Sequence, residues 1–170
     1  MNPYANTLRD IISSSLDQLL SLPATELQYK AKPQAWSKLE IIGHLIDSAY
    51  NNYQRFLRAQ MQSDLRFSGY AQDEWVRRAQ YHKREPQEVI QGWQVANLHL
   101  AQLLDSISQN EMQLFKPHNF HQIGMNPISE EVPANLAYLI WDYIYHLEHH
   151  LGQLLPSYAK RNLPHPLKKT

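Results

Sequence analysis

The sequence predicts an all-α domain folded as a four-helix bundle. Four long segments repeat apolar residues at steps of three and four, which is the spacing of an amphipathic helix. Glycine is scarce, with 5 in 170 residues, which suits long helices joined by few tight turns. Because such helices bury their apolar stripes best against one another, the pattern favours a bundle.

The first two long helices have clear sequence boundaries. The first is predicted over residues 3–22, and Pro23 ends it because proline cannot continue a helix interior. The second begins after Ser37, because Ser37 and Glu40 have the spacing of a capping box. Its apolar stripe predicts an end between residues 60 and 63.

The second half of the chain supplies the other two long helices. A short helix is predicted over residues 73–78, and Pro86 opens the third long helix, since proline is favoured in a first turn. Residues 110–133 are predicted to be irregular, without a sheet. The fourth long helix is predicted over residues 134–159, with Pro156 kinking or shortening its end. Residues 1–160 would then form a single domain, and residues 161–170 a C-terminal tail.

Composition excludes several classes of function. The 16 basic and 16 acidic residues give a formal net charge of zero without a basic stripe, so nucleic-acid binding is not expected. The chain has no cysteine, which excludes disulfides, cysteine-ligated zinc and a cysteine nucleophile. No segment reaches the roughly 18 apolar residues of a membrane span. Met1-Asn2-Pro3-Tyr4 does not resemble the start of a signal peptide, so we expect a cytoplasmic protein without a membrane partner.

Two histidines in the fourth helix have the spacing of a metal site. His146 and His150 are four residues apart and therefore lie on one face of the helix. His44 is the best third ligand, because it lies within the apolar stripe of the second long helix. Neutral imidazole suits zinc, nickel, copper or iron, and catalytic sites commonly combine three protein ligands with one open position. The pattern predicts one divalent metal ion held by His44, His146 and His150.

Each of these histidines also has a simpler explanation. A lone histidine on an apolar helix face is more often a hydrogen-bonded core residue than a ligand. His99 is a weaker alternative to His44, and His149 is expected to face a neighbouring helix, a partner or solvent. If His99, His118 or His121 acted as a fourth ligand, the metal would have a structural role.

The charged neighbours of the candidate ligands have open roles. Metal-bound imidazoles usually donate their free N–H group to a carboxylate or carbonyl oxygen. Asp47 lies three residues after His44, and Asp142 lies four residues before His146. Each shares a helix face with its histidine, so either could be such an acceptor. A solvated or capping carboxylate is the alternative for both. Arg55 and Arg58 are expected to be solvated.

Several motifs resemble the DinB-like superfamily, and its YfiT-like branch in particular. The start of the family's second long helix is matched by Trp36-Ser37, Gly43-His44-Leu45-Ile46-Asp47-Ser48 and Asn52-Tyr53-Gln54-Arg55-Phe56. The acidic-aromatic stretch Tyr70-Ala71-Gln72-Asp73-Glu74-Trp75 and the helical pair of His146 and His150 also follow the branch. One position departs from it: the first ligand is often accompanied by a second histidine or an aromatic residue, and position 43 here is glycine.

The resemblance implies a fold, a metal site and a class of activity. It implies a four-helix bundle, often a homodimer, with a zinc or nickel ion held at one end by His44, His146 and His150. It also implies a metal-dependent hydrolase, or an S-transferase that uses a low-molecular-weight thiol such as bacillithiol, acting on a small molecule. A noncatalytic metal-binding or stress-response interaction module is the alternative. No catalytic residue is assigned, although Asp47 and Glu148 are the nearest carboxylates in sequence.

Overall fold

Four long helices dominate the computed structural model, which describes residues 2–167. In chain order the helices are α1 (Pro3–Leu20), α2 (Ala24–Gln28), α3 (Lys38–Ala59), α4 (Gln72–Ala79), α5 (Pro86–Ser106), α6 (Gln109–Gln113), α7 (Phe120–Ile123) and α8 (Leu136–Leu154). The strands are β1 (Phe115–Lys116) and β2 (Ala134–Asn135), and a 3-10 turn spans Tyr81–Lys83. Helices α1 and α3 each pack against both α5 and α8, so the predicted all-α four-helix bundle is confirmed.

The helix ends follow from local capping chemistry. The predicted capping box of α3 is present, because the Ser37 hydroxyl accepts from the Glu40 amide at 3.2 Å and the Glu40 carboxylate accepts from the Ser37 amide at 2.8 Å. Helix α8 is shorter than predicted at both ends. It begins after Asn135, whose side chain accepts from the Tyr138 amide at 3.1 Å, and it ends at Leu154, ahead of Pro156.

The prediction that residues 110–133 form no sheet was wrong, because β1 lies within this segment and pairs with β2 just after it. Strands β1 and β2 pair antiparallel, with Phe115 opposite Asn135 and Lys116 opposite Ala134. Each strand has two residues, which is too short for the alternating pattern that reveals a strand in sequence. An isolated parallel bridge between Leu65 and His118 joins the loop after α3 to the segment that follows β1.

The segment after α8 folds back onto the bundle. The buried carboxylate of Glu148 accepts from the Tyr158 hydroxyl and the Arg161 amide, both at 2.9 Å. The Arg161 guanidinium also donates to the Asp10 carbonyl oxygen of α1 at 2.9 Å. Arg161, the first residue of the predicted tail, is therefore tied to α8 and α1, while residues 168–170 lie outside the described residues. Among the described residues, no helix has the length and apolar character needed to cross a membrane.

Glycine at position 43 gives room to an aromatic ring. A Cβ atom added to Gly43 would lie 2.1 Å from Cδ2 of Tyr81, far inside van der Waals contact. The Tyr81 side chain is buried, and its hydroxyl donates to Asp47 Oδ1 at 2.8 Å, one turn further along α3. The 3-10 turn thus packs directly on the α3 backbone, where a side chain at position 43 would displace the ring.

Substitution of Gly43 by alanine is predicted to destabilise the fold by about 1–3 kcal/mol, because overpacking of a tethered ring outweighs the helix propensity gained. Gly152, on the exposed face of α8, is the matched control, since its nearest neighbour would be Lys160 Cε at 3.7 Å. We expect Gly152→Ala to stabilise the protein by about 1 kcal/mol. Urea unfolding of both variants tests this, and changes of the same sign would contradict the steric account.

Candidate metal centre

Three imidazole rings from two helices converge at one point in the bundle. His44 lies on the buried face of α3, and His146 and His150 lie one turn apart on α8. The Nε2 atoms of His44 and His146 are 3.0 Å apart, and one ring nitrogen from each of the three lies within 4.8 Å of the others. Within residues 2–167 no carboxylate joins this group. The structure thus brings together the three histidines that the sequence suggested.

Burial keeps these imidazoles in their neutral form. His44 is 1% exposed, and burial, followed by repulsion from His150, lowers its pKa from 6.5 to about 4. Burial also lowers the pKa of His150, and it holds the pKa of His146 well below its ordinary value. Only neutral imidazole has a free lone pair for a metal, so the three rings have the protonation state that a ligand needs at neutral pH.

Two of the rings are oriented by partners outside the cluster. His150 Nδ1 lies 2.8 Å from Oε1 of Gln153, which accepts its hydrogen and leaves Nε2 with a lone pair. His44 Nδ1 lies 3.5 Å from the Tyr70 hydroxyl. The Nδ1 atom of His146 is buried without a protein partner in the described part of the chain, so packing and the contact of its Nε2 atom with His44 hold that ring. Three neutral imidazoles with outer-shell partners on two of them fit a divalent metal ion.

A cavity of about 360 Å³ opens beside the three rings. This volume suits a small organic molecule. Helix α3 lines it with His44, Ser48, Asn52 and Arg55, and α8 lines it with Leu139, Asp142, Tyr143, His146, His149 and His150. The loops after α3 and around α7 complete the wall with Gly69, Tyr70, Gln72 and residues 122–125. A ligand in this space would therefore contact the histidines from one side.

The carboxylates near the three histidines accept hydrogen bonds from other groups and not from the imidazole rings. Asp142 accepts from the Met125 amide at 2.9 Å and from the amide and side chain of Asn126 at 2.7 and 2.9 Å. Burial raises the pKa of Asp142, although these hydrogen bonds oppose the rise. Asp47 accepts a hydrogen bond from the Tyr81 hydroxyl, and Glu148 accepts one from the Tyr158 hydroxyl. Asp142 thus positions the loop at the cavity rim, and neither Asp47 nor Glu148 lines the cavity.

The other candidate histidines lie outside the cluster. His99 stacks on the Tyr53 ring, with centroids 4.5 Å apart. The His118 ring is buried and lies 2.8 Å from a backbone carbonyl oxygen at residue 132, and His121 lies 3.6 Å from Glu130. His149 is partly exposed at the cavity edge, where its Nε2 lies 3.1 Å from the Gln153 side chain. Among the described residues, a fourth histidine ligand is therefore not provided.

The prediction that the Arg55 side chain is solvated was wrong. The residue is 7% exposed and lines the cavity. The helical spacing indicates this position. One face of α3 carries polar residues at steps of four, four and three: His44, Ser48, Asn52 and Arg55. The expectation for Arg58 holds, since this residue is exposed.

Residues 10–154 match the DinB superfamily. The chain belongs to this superfamily. Among solved structures it is similar to YfiT from Bacillus subtilis, described as a probable metal-dependent hydrolase with an unusual four-helix bundle topology. The two share 16% identity with a TM-score of 0.71, over 90% of this chain and 82% of YfiT, so the likeness concerns the fold. A search of curated proteins gave no match.

The metal-free protein is predicted to lose stability as the pH falls from about 6.5 towards 4. In this window the unfolded chain binds a proton at position 44 and the folded chain does not, so the free energy of unfolding decreases on acidification. The full loss from His44 is about 3 kcal/mol. Unfolding of EDTA-treated wild type and His44→Asn at several pH values measures it. Parallel pH dependences in the two proteins would contradict the assignment.

Replacement of Asp142 by alanine is predicted to destabilise the protein by about 2 kcal/mol, because three N–H donors at the cavity rim lose their acceptor. Faster hydrogen exchange at the amides of Met125 and Asn126 should accompany the loss. Asp142→Asn keeps the shape and one acceptor oxygen, so its effect should be smaller. Unchanged exchange at these amides would exclude the loop-positioning role.

Proposed function

We propose that this chain is a divalent-metal-dependent enzyme acting on a small molecule, with His44, His146 and His150 as the metal ligands. The observation that carries the proposal is the convergence of three neutral imidazoles at the wall of a cavity of about 360 Å³. Three protein ligands beside an open space leave a coordination position for substrate or water, as catalytic zinc sites do. The closed sphere of a structural site would need a fourth protein ligand.

The residues of the chain hold and orient the reacting groups. A divalent ion at this point supplies a Lewis acid that lowers the pKa of water, or of a substrate thiol, towards neutrality. The Gln153 side chain accepts from His150, and the Tyr70 hydroxyl faces His44, so both fix the direction in which the ring nitrogens point. Burial on α3 excludes water from most of the His44 ring, whereas His150 stays partly exposed.

We propose hydrolysis as the reaction class, with transfer of a low-molecular-weight thiol as the second candidate. The description of YfiT as a probable metal-dependent hydrolase supports the first. The absence of cysteine fits thiol transfer, because no protein thiol competes with a substrate thiol for the metal, but it fits hydrolysis equally well and does not decide between them. Zinc and nickel are the proposed metals, since both favour imidazole ligands. A homodimer, as the family resemblance implies, stays a prediction.

The alternative is a noncatalytic module in which a metal joins α3 to α8. The same three histidines would serve both roles, so the coordination number distinguishes them. A metal with one exchangeable position supports the enzyme. A metal coordinated by four protein atoms, with no response to small ligands, supports the module.

Metal content is the direct test of the ligand set. We expect one zinc or nickel ion per chain in the wild type and an affinity loss of at least about 100-fold in His150→Ala, because one of three imidazole ligands is removed. Mass spectrometry of the native protein and competition with a chromogenic chelator measure this. Hydrolysis of activated esters and amides, and conjugation of a small thiol to a generic electrophile, are assayed on the same samples.

His99→Ala is the matched control for this experiment. His99 is an exposed histidine on α5, outside the cavity lining, so its loss should leave metal content and turnover unchanged. Equal loss of metal in His99→Ala and His150→Ala would contradict the proposed ligand set. Metal binding without turnover on either class of substrate would favour the noncatalytic module.

A further inference from the structure

A buried arginine contributes a positive charge to the cavity wall beside the histidines. The Arg55 side chain is 7% exposed, and its Nη2 donates to the Ser68 carbonyl oxygen at 3.0 Å. A guanidinium has five N–H donors and keeps its charge in proteins. No other hydrogen bond of this guanidinium occurs within residues 2–167. Most of its donors are therefore available to a molecule in the cavity.

The Arg55 charge attracts the Asp142 carboxylate, but no carboxylate oxygen contacts the guanidinium directly in the described part of the chain. Arg55 takes part in none of the ion pairs there. Asp142 also lines the cavity, but its two oxygens accept from Met125 and Asn126. Burial of an unpaired charge is costly, and the usual compensation is a partner of opposite charge. Arg55 thus has the longer-range attraction of Asp142 but no anion in direct contact with its guanidinium.

The backbone that holds the guanidinium is itself anchored. The loop residue Phe67 donates its amide to the Asn119 side chain at 3.1 Å and accepts from it at 2.9 Å. Ser68, the acceptor for Arg55, follows immediately. Tyr70, on the same loop, contacts His44, with its hydroxyl 3.5 Å from Nδ1. The arginine and the histidine cluster therefore have a fixed relation to each other, as a site that positions a ligand at two points requires.

We propose that Arg55 binds an anionic group of the substrate, so that the cavity selects small molecules bearing an oxyanion such as a carboxylate. The inference rests on the proposed function, because it names the substrate class of the same cavity. Carboxylate and phosphate oxygens match the planar donor fork of arginine. Residues 44 and 55 are eleven positions apart, roughly 16 Å along the α3 axis. The arginine side chain leans back towards the helix N-terminus and shortens this span, so the oxyanion lies several bonds from the reacting group.

Matched ligands of equal length test the inference. Hexanoate, hexyl phosphate and the neutral hexanamide are titrated into the full-length protein, both as purified and after EDTA treatment, with the Arg55 Nε–H signal followed by NMR. We expect at least one anion to bind about tenfold or more tightly than the amide, the size of a charge-assisted hydrogen bond. Comparison of the two anions shows which oxyanion is preferred. Equal binding of all three ligands would overturn the proposal.

Variants on α3 separate loss of anion binding from loss of folding. Arg55→Gln should abolish the preference for the anion while the affinity for hexanamide stays within about twofold, because only the charge-assisted bond is lost. Arg55→Lys, which keeps the charge and a donor for Ser68, should retain part of the preference if Arg55→Gln folds poorly. Arg58→Gln removes an exposed charge one turn away and should change nothing. A preference that survives in Arg55→Gln, or is lost in Arg58→Gln, contradicts the assignment.

The experiment also distinguishes this inference from the proposed function. The anion preference is expected in the EDTA-treated protein, because it depends on Arg55 and not on a metal. If the protein contains no metal and lacks turnover but still prefers the anion, the proposed enzyme is wrong and the anion site stands. If metal binds and the preference is absent in both samples, the anion site is wrong and the metal site stands.

Discussion

The contact between α3 and α8 at the three histidines is the constraint on which the rest of the site depends. The Nε2 atoms of His44 and His146 lie 3.0 Å apart, and this distance is set by how closely the two helices pack. Apolar neighbours on α8, such as Ile144, Leu147 and Leu151, are fully buried and hold the helix in register. Because protein cores are densely packed, a small shift of either helix would separate the ring nitrogens.

The same burial that brings the rings together also determines their chemistry. Removal from water disfavours the imidazolium form, so the pKa values of all three histidines fall below 6.5. A guanidinium keeps its charge under similar burial, because arginine is not deprotonated in proteins. The cavity therefore combines neutral nitrogen ligands at one wall with a fixed cation at another. This combination gives a ligand two different points of attachment, one for a metal and one for an anion.

The loops around the cavity are held by a few polar side chains from the helices and from one another. Asp142 of α8 fixes residues 125 and 126, and Asn119 pairs with the backbone of Phe67. Tyr81 packs on the backbone at Gly43 and donates to Asp47. Each of these contacts holds a loop or turn that carries no repeating apolar pattern. Their geometry is therefore set by individual hydrogen bonds rather than by an extended core.

The sequence by itself determined the features that depend on helix periodicity. The pairing of His146 with His150, the capping box at Ser37 and the inward position of His44 follow from 3.6 residues per turn and local capping chemistry. Only the tertiary structure decided the contacts between elements, such as the Tyr70 hydroxyl facing His44. It also decided that Arg55, whose spacing places it on the helix face of His44, is buried at the cavity, although a charged residue is most often solvated. The reason is physical: backbone geometry fixes spacing within one helix, whereas contacts across helices and loops depend on how the whole chain packs.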